Sequence, residues 1–182
     1  MKAFNLFLSF LVLLLMVALP KAGSTQTVSG QSAAATESPE WTKKLVERKK
    51  EGIATVTLRE VRAADQSEFD RVVFEFKETQ VPGYRVEYVL VPVMDESERV
   101  MRLAGKAFLR VDLNPALAHS SETGAPSVKE REKRLNLSTV IEFKQASDFE
   151  GIVSYALGLK KKQPFRVMEM SNPARLVIDI KH

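Results

Sequence analysis

Residues 69–77, which read FDRVVFEFK, decide the fold. Val72, Phe74 and Phe76 share one parity there, and the other parity carries mostly charged residues. A period of two residues is typical of a β-strand with one face buried and the other in water. The stretch therefore predicts a half-buried strand whose inward face carries two phenylalanines.

The same alternation recurs along the rest of the chain, and turn-forming pairs such as Pro82-Gly83 and Asn114-Pro115 separate the segments. The other predicted strands cover residues 54–61, 84–93, 106–113, 137–143, 151–159, 165–170 and 175–181. Residues predicted to share inward faces include Val86, Tyr88, Leu90, Leu109, Val111, Leu137, Ile141, Phe143, Tyr155, Leu157, Leu176, Ile178 and Ile180. About eight short strands favour an all-β fold, either a two-sheet β-sandwich or an open barrel.

Two stretches interrupt this pattern. Residues 95–98, DESE, read as the polar tip of a hairpin. Residues 114–135 form a long irregular segment, within which residues 128–135 favour a turn or two of helix. Loops of this length inside a domain are often functional, and the alternative is a mobile excursion without a role.

A short N-terminal helix is predicted just ahead of the strands. Ser38 and Pro39 suit the cap and the first position of a helix. Trp41, Leu45 and Val46 would then lie on one side, with the lysines and arginine of residues 43–50 facing elsewhere. The helix is expected to dock through its tryptophan, and a membrane-surface role for its basic face is the alternative.

The first residues have the layout of a secretory signal peptide. A charged start at Lys2 precedes an apolar run of about seventeen residues, and Pro20 and small residues follow. We expect a leader over residues 1–22, a flexible linker rich in Ser, Thr, Gly and Ala over residues 23–39, and one domain over residues 40–182. The alternative to a cleaved leader is a retained anchor helix, so a membrane is a partner only through an uncleaved leader.

Composition limits the classes of function. The chain has 182 residues, no cysteine and a net charge of +4. Removing the leader with its two lysines leaves 25 basic and 23 acidic residues, which is no concentrated basic face for nucleic acid. Without disulfides the exported domain must be held together by burial, which a domain of this size can do.

No catalytic or cofactor motif is present. The chain has two histidines, His119 and His182, so the sequence indicates no zinc or other metal site. His119 lies in a polar loop without a nucleophile motif, and no glycine-rich phosphate loop occurs. We expect no enzyme, no cofactor and no bound metal. A hydrolase with a hidden pair of carboxylates is the least favoured reading.

Recognition by a surface remains. Tyr84 and Tyr155 are candidates for stacking on sugar rings, although aromatic residues in strands more often lie in the core. Arg71 and Arg175 are candidates for binding carboxylates, since a guanidinium matches carboxylate geometry. The alternative for such arginines is an ordinary cross-strand ion pair, for example with Asp179.

The strand motifs resemble those of the AMIN-like domain of small bacterial envelope proteins, which is related to the AMIN domain of cell-wall amidases and pilus secretins. The matching pieces are FDRVVFEF at 69–76, PGYRVEY at 82–88, GKAFLRV at 105–111, DFEG at 148–151, GL at 158–159 with FRV at 165–167, and NPARLVIDI at 172–180. In order, they span roughly residues 53–182.

The resemblance implies a β-sandwich of two sheets, a bacterial origin and an envelope location: periplasm, envelope or extracellular. It also implies a non-catalytic binding module whose partner is peptidoglycan, another wall polymer or an envelope protein. The chain differs from relatives that are lipoproteins, because it has no cysteine to carry a lipid. The alternative function is a carrier or sensor of a small apolar ligand held between the sheets.

Overall fold

The computed structural model describes residues 39–94 and 99–182. The predicted leader, nearly all of the predicted linker and the predicted polar tip at residues 95–98 lie outside the described residues. The described part belongs to one unit, Glu37–His182. No helix in it is long and apolar enough to cross a bilayer.

Within the described ranges the chain forms strands and no helix. The strands are β1 (Val46–Arg48), β2 (Val56–Asp65), β3 (Phe69–Phe76), β4 (Gly83–Val89), β5 (Val93–Met94), β6 (Arg99–Val100), β7 (Ala107–Asn114), β8 (Ala116–Leu117), β9 (Glu132–Arg134), β10 (Val140–Phe149), β11 (Ile152–Leu159), β12 (Phe165–Met170) and β13 (Arg175–Lys181).

Two sheets account for eleven of these strands. The six-stranded sheet has the order β1-β4-β7-β11-β10-β9, and the five-stranded sheet has the order β12-β13-β3-β2-β8. Nearly all neighbours are antiparallel, with a short parallel pairing of β2 and β8 as the exception. Strands β5 and β6 pair as a separate hairpin. The prediction of an all-β fold with two packed sheets is confirmed.

The core lies between the two sheets and follows the predicted alternation. Val72, Phe74 and Phe76 of β3 are fully or almost fully buried. From the other sheet, Tyr155 of β11 meets Phe74 edge to face with ring centroids 5.4 Å apart. The two strands that lie deepest in their sheets thus supply the central contact between them.

The predicted N-terminal helix is wrong. Thr42 exchanges two backbone hydrogen bonds of 2.8 Å with Phe165 of β12, and β1 pairs with β4. Residues 42–48 are therefore attached to both sheets, to the edge strand β12 of one and to β4 of the other. Helix propensity is a weak preference that such pairing overrides. Trp41 does dock as expected, against Phe69 at 6.0 Å between centroids.

The predicted helical turn in residues 128–135 is also wrong, because Glu132–Arg134 forms β9 on the edge of β10. The long segment that contains it has a structural role. Ala116, Ala118 and Val128 are buried in the main core, and the Ser127 hydroxyl donates to the Leu58 carbonyl at 2.6 Å. The segment therefore contributes residues to the main core.

Three residues that were predicted to lie inward, Leu90, Leu137 and Ile141, are not fully buried, for local reasons. Leu90 lies beyond the end of β4 and is 96% exposed. Leu137 lies ahead of β10 and is partly buried against the main core. A register shift between Val140 and Glu142 places both Val140 and Phe143 in the core, so Ile141 is only partly buried. A bulge of this kind cannot be read from alternation alone, because it breaks that alternation.

Residues 101–104 cross the outer face of the six-stranded sheet. Met101 packs against Ala146 and Ala156, and the Ala104 amide donates to Glu142 at 2.6 Å. This crossing requires Gly158, where a Cβ would lie 1.8 Å from the Ala104 carbonyl oxygen. Residues 101–104 therefore cover one part of the outer face of the six-stranded sheet and leave the rest of that face uncovered by this segment.

We predict that Phe74→Ala lowers the free energy of unfolding by about 3–5 kcal/mol, because it leaves a cavity at the central contact between the sheets. Urea unfolding followed by circular dichroism measures the loss. Lys77→Ala, at the exposed end of the same segment, should change it by less than about 0.5 kcal/mol. A loss below about 1 kcal/mol for Phe74→Ala would contradict this placement of β3.

Candidate functional site

Tyr84 lines an open surface cleft of about 400 Å³ beside the six-stranded sheet. One wall is the segment that carries β1 and continues past it, and the other comes from β4, β7 and β11. The lining residues are Glu47, Arg48, Lys49, Lys50, Glu51, Gly83, Tyr84, Arg85, Arg110, Asp112, Asn114 and Ile152. Five of them are basic and three acidic, so the cleft carries an excess of positive charge.

Gly83 sets the position of the N-terminal wall. A Cβ at this residue would lie 2.7 Å from the Asn114 carbonyl oxygen, 3.0 Å from the Arg48 carbonyl oxygen and 3.1 Å from the Lys50 amide nitrogen. Only glycine allows three backbone segments to approach so closely. The Pro82-Gly83 pair, which the sequence indicated only as a turn, therefore also shapes the cleft.

The floor of the cleft is a ladder of ion pairs on β4 and β7. Arg85 binds Glu87 in a bidentate pair at 2.7 and 3.0 Å, and Arg110 binds Asp112 at 2.8 Å and Ser154 at 3.4 Å. Hydrogen bonding to Glu87 raises the pKa of Arg85, and the same contact lowers the pKa of Glu87. Both guanidinium groups are thus held in place by a carboxylate of their own strand.

Tyr84 lies in a second charged cluster, which joins the two sheets at the edge of the sandwich. Glu169 of β12 receives Lys50 at 2.6 Å and Arg48 at 2.9 Å. Burial raises the pKa of the Tyr84 hydroxyl, and the nearby Glu169 carboxylate adds to this rise. The tyrosine therefore stays a neutral group that can donate a hydrogen bond beside two cations.

Arg71 lies on the outer face of the five-stranded sheet, away from the cleft lining. It binds the fully buried Asp179 in a bidentate pair at 2.7 and 2.9 Å, and Arg166 binds the same carboxylate at 2.9 Å. Hydrogen bonding to Asp179 raises the pKa of Arg71, and burial opposes this rise. The cross-strand ion pair that the sequence offered as the alternative is therefore what Arg71 forms.

The rings of Trp41 and Phe69 lie against the arginines that bind Asp179. Arg166 lies 4.5 Å from the centre of the Trp41 ring, and Lys181 lies 4.9 Å from it. Arg71 and Arg166 each lie 5.2 Å from the centre of the Phe69 ring. Contacts between cations and aromatic faces thus attach the N-terminal segment to the sheet.

The other two candidates lie elsewhere. Tyr155 is fully buried at the centre of the core, so its ring is not accessible to a sugar from solvent. Arg175 lies at the start of β13 and donates to the Pro173 carbonyl at 3.2 Å. The four predicted residues do not converge, and only Tyr84 lines the cleft. Sequence reasoning missed Arg48, Lys50 and Arg85, because the first two were assigned to the solvated face of a helix.

Comparison with known proteins identifies one family. The family model of the AMIN-like domain matches residues 56–182, which is more than half of the chain and contains the strands from β2 to β13. No curated protein and no solved structure matches the chain.

We predict that Asp179→Asn destabilises the protein more than Arg71→Gln. Asp179→Asn removes the one charge that two arginines share, and we expect a loss of about 2–4 kcal/mol. Arg71→Gln leaves Asp179 paired with Arg166, so its loss should be about 1–2 kcal/mol. Urea unfolding at pH 7 compares the two variants, and equal losses would contradict the shared carboxylate.

Proposed function

The chain belongs to the AMIN-like domain family, and we propose that it is a non-catalytic binding module of the bacterial cell envelope that recognises peptidoglycan or a related wall polymer through the cleft beside Tyr84. Family membership supports an exported, envelope-associated module. The polymer and the cleft as its binding site are our proposal.

The cleft carries the proposal because its chemistry suits an acidic polymer. Wall peptides present carboxylates, and a guanidinium or an ammonium binds a carboxylate with charge-assisted hydrogen bonds. Arg48 and Lys49 are exposed at this cleft, while Arg85 and Arg110 line its floor. The contacts described for Arg110 use Nε and Nη2, and its third nitrogen, Nη1, is a further donor for a ligand.

Preformed geometry also supports binding there. The floor arginines are oriented by neighbouring carboxylates, and the N-terminal wall is attached to β4 and to Glu169. Side chains that are already ordered lose less conformational entropy when a ligand binds. The cleft is open to solvent, as a site for an extended polymer must be.

The alternative of an apolar carrier has less support. The space between the sheets holds fully buried side chains from both, including Phe74, Phe143, Tyr155 and Phe165. The cleft beside Tyr84 and the second described surface cleft, near Arg59 and Lys129, are both lined mainly by polar and charged residues. Neither is an enclosed cavity of the kind that would hold a small apolar ligand.

The remaining parts of the proposal concern export. A leader over residues 1–22 would bring the domain out of the cytoplasm, and a flexible linker over residues 23–39 would let it reach the wall. If the leader is retained, it supplies a membrane anchor. The linker would then limit how far from the membrane the cleft can act.

We predict that the full chain co-sediments with purified sacculi and that Lys49→Glu weakens this binding about five- to tenfold, because it reverses a charge at the cleft. Lys161→Glu is the matched control, since it makes the same charge change at an exposed position in the turn before β12. It should bind as the unaltered chain does at about 0.15 M salt.

Two results would contradict the proposal. Absence of co-sedimentation by the unaltered chain would remove the polymer as a partner. Equal weakening by Lys49→Glu and Lys161→Glu would assign the binding to general attraction between charges and remove the cleft as its site.

A further inference from the structure

Three potential metal ligands converge at one end of the sandwich. Asp65 ends β2, Asp70 lies in β3, and His182 directly follows β13. Their ligand atoms all lie within 4.8 Å of one another. The small number of histidines in the sequence did not indicate this site. Two of its three ligands are aspartates, and the ligands come from separate strands.

The two aspartates are held by neighbouring groups. Asp70 is fully buried, and its Oδ2 accepts hydrogen bonds from the backbone amides of Thr139 and Val140, both at 2.6 Å. This leaves Oδ1 directed at His182 Nε2, 3.0 Å away. The Ser138 hydroxyl donates to Asp65 at 2.8 Å. Such outer contacts are the kind that orient ligands in metal sites.

The charges at this end favour a cation. Asp65 and Asp70 are direct register partners across β2 and β3, a position in which like charges destabilise a sheet. Both carboxylates lie within 4.0 Å of the same imidazole nitrogen, Nε2 of His182. One imidazole carries at most a single positive charge, whereas a divalent ion would balance both carboxylates.

The distances also suit one metal ion. Bonds of about 2.0–2.1 Å at tetrahedral angles place two ligand atoms about 3.3–3.4 Å apart. The imidazole nitrogen lies 3.0 Å from the Asp70 oxygen and 3.9 Å from the Asp65 oxygen, so the two distances bracket that value. The Asp65 side chain is 50% exposed and is held by one exposed hydroxyl, so it can make the larger adjustment more easily than the buried Asp70.

We propose that Asp65, Asp70 and His182 bind a divalent transition-metal ion, with Zn²⁺ as the first candidate. One imidazole nitrogen and two carboxylate oxygens form a donor set that Zn²⁺ accepts, with a fourth position left for water or a ligand. Ca²⁺ prefers six to eight oxygen ligands. The ion would connect the end of β13 to the β2–β3 hairpin.

Isothermal titration of the full chain, freed of metal with a chelator and then titrated with ZnCl₂, tests the site. We expect saturable binding of one ion per chain and more than tenfold weaker binding in His182→Gln and Asp65→Asn. Zn²⁺ should also raise the melting temperature of the unaltered chain and not of these two variants. Asp70→Asn is avoided because Asp70 also accepts hydrogen bonds from two backbone amides, so its replacement would disturb the fold as well as the site.

His119→Gln is the matched control. His119 forms the chain's other histidine–aspartate pair, with Asp148 at 2.7 Å, and that pair does not belong to the three-ligand group. Zinc binding should be unchanged in this variant. The proposal is overturned if the unaltered chain shows no saturable binding, if His119→Gln loses as much affinity as His182→Gln, or if Ca²⁺ binds more tightly than Zn²⁺.

Discussion

The contact between the inner faces of the two sheets is the constraint on which the rest of the structure depends. Its centre is the edge-to-face packing of Phe74 on Tyr155, and Phe143 packs on the same tyrosine at 6.3 Å between centroids. Because the chain has no cysteine, disulfides cannot contribute, and burial must offset the entropy of ordering the strands. The cleft and the convergence of Asp65, Asp70 and His182 lie at the rim, where strands positioned by this core end.

The alternation in the sequence predicts the core well, because burial of one sheet face directly selects apolar residues at every second position. It correctly places Phe74, Leu109 and Ile178 inward. It fails where partners distant in sequence decide the structure. Residues 42–48 have a helix-like pattern, yet they pair with strands that lie far along the chain.

Candidate site residues were less predictable than the core, because a side chain's role depends on which strand becomes its neighbour. Arg71 has its carboxylate partner 108 residues away, and only the pairing of β3 with β13 brings the two together. Tyr155 and Tyr84 are alike in the sequence pattern, yet one fills the core and the other lines the cleft. To predict which residues meet at a rim, one therefore needs the order of the strands in each sheet, and the alternation does not contain that order.

Native-state hydrogen exchange tests the central claim most directly, because it measures the opening free energy of each strand. If the two sheets form one cooperative core, amides of β3, β11 and β13 should exchange only through global unfolding and share the highest free energy. Amides of β1 and of the β5–β6 hairpin should open at lower cost. A difference of more than about 2 kcal/mol between β3 and β11 would mean that the sheets unfold separately, and the account would be wrong.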